Sequence, residues 1–138
     1  MKKLITFLLL LILKTGNLLS QPTHIDLAEN LKISKWAATW HFTDSSLNDL
    51  KEMNFVRIKS ADTAVSRPYP VIWIENNEFK INYLINGSYK IVSYKYIYDP
   101  ENMLLITLIN NDPGKTPMTF KASFISTRSA MSLFRQNK

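Results

Sequence analysis

The chain has no cysteine, and only three glycines and two histidines in 138 residues. Without cysteine there is no disulfide to brace a small exported domain, no thiolate metal site, and no residue to carry a lipid at a mature N-terminus. Gly16, Gly87 and Gly114 are too scattered to form a phosphate-cradling loop. His24 and His41 have no acid at ligand spacing from both, so no metal site is expected. No Gly-x-Ser-x-Gly elbow supports a Ser-His-Asp triad built on His41, and an exposed histidine is the simpler account of it. Glu75 and Glu78 bracket a turn, where carboxylates are ordinarily solvated rather than paired for glycoside chemistry. The chain is therefore read as a non-enzyme that needs no cofactor.

Long apolar runs are also missing, except at the start. Leu4 to Leu13 is almost unbroken in its hydrophobicity, is preceded by Met1-Lys2-Lys3 and is followed by Lys14-Thr15-Gly16-Asn17-Leu18-Leu19-Ser20-Gln21. That is the anatomy of a signal peptide, and the run falls short of the roughly 20 residues that a membrane helix needs. Residues 1–20 are expected to be a leader cut after Ser20, and residues 21–138 a single exported domain, periplasmic or extracellular. No later stretch is long enough to span a bilayer, since Met103 to Ile109 has only the length of a strand.

Of 17 Lys and Arg, Lys2, Lys3 and Lys14 leave with the leader, so 14 face 11 acids, a net charge of +3. The basic residues stand singly along the chain, which describes a solvated surface better than a nucleic-acid interface. With 46% hydrophobic and 12% aromatic residues, a domain without disulfides has enough apolar material for a core.

The periodicity is that of strands. In Lys35-Trp36-Ala37-Ala38-Thr39-Trp40-His41-Phe42, residues Trp36, Ala38, Trp40 and Phe42 share one parity, which predicts a strand over 33–42 after a short helical turn at 25–31. Ser46 and Asp49 have the spacing of a capping box, with a short helix and a plain loop equally open. A second strand over 52–59 changes apolar parity between Phe55 and Val56, as a bulge would require. After a loop at 60–67 come a strand over 71–74, a turn at Glu75-Asn76-Asn77-Glu78, and a cleanly alternating strand from Phe79 to Ile85. Asn86-Gly87 is a strong hairpin signal into Ser88–Tyr98. That fifth strand puts Val92, Tyr94, Tyr96 and Tyr98 on one face. Such a tyrosine face either packs against its neighbours or binds sugar or peptide, with packing the better account. Asp99-Pro100 turns the chain into Met103–Ile109, which is apolar on both faces and expected to be the most buried strand. A seventh strand, 117–126, aligns Met118, Phe120, Ala122 and Phe124, and a last one covers 130–135. Eight strands joined mainly by short reversals predict an all-β antiparallel up-and-down meander closed into a barrel, with a two-sheet sandwich as the alternative.

A leader, an N-terminal turn, a tryptophan-bearing first strand and a strand meander together resemble the small secreted lipocalin-like domains of bacteria, of the Bacteroidetes type. The motif that carries the resemblance is Ser34-Lys35-Trp36, which stands where lipocalins have Gly-x-Trp; Ser34 departs from that pattern. In lipocalins this tryptophan closes one end of the barrel beneath an arginine from near the C-terminus. The resemblance thus implies that Trp36 is the plug and Arg128 or Arg135 its cover. It also implies a small apolar ligand inside the barrel, with Trp40, Phe42, Phe120 and Phe124 as its lining. A filled barrel that acts through its outer surface, as an interaction or structural module, is the competing reading, and interior volume separates the two.

Overall fold

Asn86 and Gly87 both adopt positive φ, 50° and 76°, and close the hairpin that the sequence announces. Asn76 and Asn77 do the same, at 52° and 59°, between the two strands before it. The computed structural model describes residues 25–58, 68–125 and 129–136. Its strands are β1 (Trp36–Ala38), β2 (Glu52–Arg57), β3 (Val71–Glu75), β4 (Glu78–Ile85), β5 (Ser88–Tyr98), β6 (Leu105–Ile109), β7 (Met118–Phe124) and β8 (Ala130–Arg135). They form a closed antiparallel barrel in the order β1-β2-β8-β7-β6-β5-β4-β3. From β3 to β8 the path is an unbroken meander. At the closure β1 lies between β2 and β3, so β2 pairs with β8 and both neighbours of β1 run opposite to it. The sheet closes on itself, but Ser88–Tyr94 of β5 pair only with β4, and at Ile91 and Ser93 that stretch keeps one side of its backbone unpaired among the described residues.

β1 is shorter than its alternation suggests. The amide of Ala38 donates to the Pro70 carbonyl at 2.7 Å, but Pro70 has no N–H to return, so the ladder with β3 ends there. In β2 there is no bulge. Its register with β1 and β8 runs on through Phe55 and Val56, and Val56 points outward, 38% exposed. β6 is not the most buried strand either. Ile106 and Leu108 face the core, while Leu105, Thr107 and Ile109 lie half-buried on the outside.

The helical turn before β1 is α1 (Leu27–Ile33), whose N-cap Asp26 accepts from the Glu29 amide at 3.2 Å. Its apolar side, Leu27, Ala28 and Leu31, is buried against one end of the barrel. The candidate capping box resolves into a 3-10 turn, Leu47–Asp49, in which Ser46 makes no cap to the turn itself. Its hydroxyl instead accepts from the Thr43 amide and donates to the Thr43 carbonyl, both at 3.0 Å. On the outside, Ala37, Val71 and Trp73 form a second buried cluster with Ile58 packed on it. The Lys35 ammonium lies 4.7 Å from the Trp73 ring centre.

Candidate functional site

The buried inward positions of the strands are apolar apart from Arg135 at the end of β8, and the large ones meet at the axis. Trp36, Tyr83 and Phe120 are 0% exposed, and Phe55 and Phe79 are 1%. A water-sized sphere reaches almost none of their surface, so no ligand-sized chamber separates them. Eight strands enclose an interior that side chains can fill or one small ligand can occupy. Among the described residues, side chains fill it around these five.

Each end is closed. At one, the Trp36 indole N–H donates to the Asn30 carbonyl at 3.3 Å, and the ring meets Phe124 edge-on at 5.8 Å. Asn30 is fixed in turn by its amide nitrogen, which donates to the Asp26 carbonyl at 2.7 Å. At the other end the chain leaves β1 and folds inward, so that Phe42 packs edge-on against Tyr83 at 5.9 Å and Phe55 at 6.5 Å. Leu47 from the 3-10 turn is buried beside this group. Lys90 of β5 holds the same segment through the Asp44 carboxylate at 3.4 Å.

The expected pocket residues are not gathered into one site. Phe42 and Phe120 are buried in the core, and Phe124 is half-buried against Trp36. Trp40 lies beyond the end of β1, 38% exposed at the rim, with its ring 5.5 Å from Phe42. Its parity with Trp36 has no meaning once the strand has stopped. Trp36 does close one end, but Arg135 does not cover it. The Arg135 guanidinium lies 5.4 Å from the Phe120 ring centre, and its Nη1 is buried without a hydrogen-bond partner among the described residues. Arg135 stands across from Lys51, whereas Trp36 stands across from Arg57, six residues further along the chain and about 20 Å away at strand spacing. Arg57 is thus the arginine beside Trp36, and its Nε donates to the Ser34 hydroxyl at 2.7 Å. No local pattern marked Arg57, because the pairing of β1 with β2 is what brings it there. Arg128 and His24 lie outside the described residues.

Electrostatics add little chemistry. Burial pushes the Tyr83 phenol far above its ordinary value, with the neighbouring Tyr94 and Asp44 adding to the shift. Tyr94 is raised by burial as well. Desolvation raises Tyr98, with the Asp26 carboxylate beside it a further cause. Tyr94 is buried, and Tyr96 and Tyr98 pack partly buried against the core, so the tyrosine face of β5 looks inward. Glu75 is lowered from the ordinary carboxylate value, chiefly because Lys80 holds it at 3.0 Å. His41 is exposed, its Nδ1 3.2 Å from the Pro68 carbonyl. Among the described residues no group of three or more histidines and acids is placed to hold a metal ion. No helix among them is long and apolar enough to cross a membrane.

Outside the barrel, a cleft of about 340 Å³ runs along β5, β6 and β7 between Ile97, Leu105, Thr107 and Thr119, with Pro100 at one end. No protein-family model, curated protein or solved structure matches the chain.

Proposed function

We propose that this protein is an exported β-barrel module that binds other molecules through its outer surface and holds no small ligand inside. One observation carries the reading, the packed interior: Trp36, Phe55, Phe79, Tyr83 and Phe120 meet inside the barrel with at most 1% of their surface exposed. Packing of that density is the ordinary state of a protein core. A ligand in the barrel would have to displace Phe42 and Leu47, which close the one mouth that α1 leaves uncovered. Export rests on the basic start and the ten-residue apolar run ahead of the barrel. Under this proposal the likeness to lipocalins is one of architecture, and the protein carries no catalytic group.

Titration of the mature protein with oleate, followed by tryptophan fluorescence, tests the proposal. Trp40 at the rim is the indole that an entering ligand would pass. No saturable change at micromolar oleate is expected. A saturable change that Trp40→Phe abolishes would place a ligand in the barrel mouth and overturn the proposal.

A further inference from the structure

One stretch of the sheet lacks a neighbour. Ser88–Tyr94 of β5 pair with β4, whereas β6 reaches back only as far as Lys95, which stands across from Ile109. The two-residue turn Asn86-Gly87 makes Ile85 and Ser88 a hydrogen-bonded pair, and such pairs alternate along an antiparallel ladder. Ile91 and Ser93 fall on the other set, so their N–H and C=O groups point away from β4. Neither residue makes a hydrogen bond on that side among the described residues. The loop after β6 does not cover them either, because Asn111 to Pro117 are all exposed and the hydrogen bonds at 110–115 stay inside the loop.

Open edges in soluble proteins normally carry a proline, a bulge or a charge that turns other strands away. This one carries none of them on its outer face. Ile91 is 57% exposed, the stretch has no proline, aspartate or glutamate, and its register with β4 is unbroken. Its one charge, Lys90, lies on the opposite parity and is held by the Asp44 carboxylate at 3.4 Å. The same stretch of a second copy matches this edge residue for residue. Open groups meet open groups only when the two-fold axis passes through a residue, and an axis at Ile91 sets Ile91 on Ile91, Lys90 on Val92 and Tyr89 on Ser93. An axis at Lys90 would bring two ammonium groups face to face. One at Val92 would drive Tyr89 of the copy into the place that Ile109 holds beside Lys95.

We propose that two copies of this protein pair along their β5 edges, antiparallel about Ile91, into a symmetric dimer with one sheet running through both barrels. Ser88–Tyr94 at strand spacing make an edge of about 24 Å, which places the contact among small interfaces, below about 1,200 Å² in total. The dimer is therefore weak and reversible, with a dissociation constant on the order of 100 μM. It goes beyond the outer-surface reading and does not depend on what fills the barrel.

The test is sedimentation velocity of the mature protein from about 10 μM to about 1 mM, with amide hydrogen exchange at both ends of that range. Monomer is expected at the low end and dimer at the high end, where the Ile91 and Ser93 amides should exchange about tenfold more slowly. Ile91→Lys sets two ammonium groups across the axis and should weaken association by about tenfold or more. Ile91→Pro should do the same without costing the barrel a bond, since that N–H faces away from β4. Ile97→Lys, at an exposed apolar residue outside the edge, should leave the dimer unchanged. A monomer throughout the range overturns the proposal and leaves the outer-surface reading standing. So does a dimer that Ile97→Lys disperses and Ile91→Lys does not. Slow exchange of Ile91 and Ser93 already in the dilute monomer overturns it too, because the edge is then occupied within a single copy.

Discussion

Phe42 sits edge-on against Tyr83 with ring centres 5.9 Å apart and planes at 79°, and this pair stops the mouth of the barrel that α1 leaves open. Phe42 comes from the segment after β1, so a short irregular stretch decides whether the barrel is a vessel or a solid.

Replacing Phe42 with alanine removes that stopper. Phe42→Ala should lower stability by about 3–5 kcal/mol in urea unfolding, the range for a large buried aromatic. The apolar void left beside Tyr83 and Phe55 should then accept a small aromatic such as benzene, raising the melting temperature of the variant and not of the wild type. A loss below about 1 kcal/mol would mean that Phe42 does not fill the mouth.

Trp36 and His41 lie five residues apart on opposite sides of the burial boundary, Trp36 fully buried and His41 exposed. Trp36→Ala should cost roughly 3–5 kcal/mol, and His41→Ala should stay within about 0.5 kcal/mol. Denaturant midpoints for the two variants settle it, and equal effects would contradict the assigned faces.

Tyr83 makes stability fall in alkali. Its folded-state pKa is raised above its ordinary value of 10.0 by burial, so its neutral form contributes fully below pH 10. That contribution drains away as the pH climbs further, at about 1.4 kcal/mol per pH unit. Tyr94 shifts in the same direction. Tyr83→Phe should therefore flatten the decline of unfolding free energy between pH 10 and about pH 11.5 by one proton's worth. Near pH 7 it should change stability by about 1 kcal/mol or less, the scale of the one hydroxyl contact with Tyr94. An unchanged alkaline slope would show that Tyr83 ionises in the folded state.

Export predicts that N-terminal sequencing of the cellular protein starts at or a few residues after Gln21. A start at Met1 would contradict the leader.

Much of the barrel can be read locally because strand alternation and turn chemistry are local. Asn86-Gly87 and Asn76-Asn77 set their hairpins, and Phe79, Ile81 and Tyr83 alternate inward as their spacing demands. What could not be read depends on pairing between distant segments. β1 stops at Ala38 because Pro70, 32 residues on, lacks a donor. The apolar Leu105 and Ile109 suggested deep burial for β6, yet they line the outer face, since closure buries one side of each strand only. Arg57 comes to stand across from Trp36, and Phe42 reaches Tyr83, through register and a loop path that no periodicity encodes. Parity identifies buried Phe42 and Phe120 but cannot tell a chamber wall from a filled axis.

Native mass spectrometry of the mature protein purified from its own envelope tests the central claim, that the interior is solid, most directly. The mass of the bare chain is expected under conditions gentle enough to keep apolar ligands bound. A stoichiometric small molecule that stays with the folded protein and leaves on unfolding would contradict it.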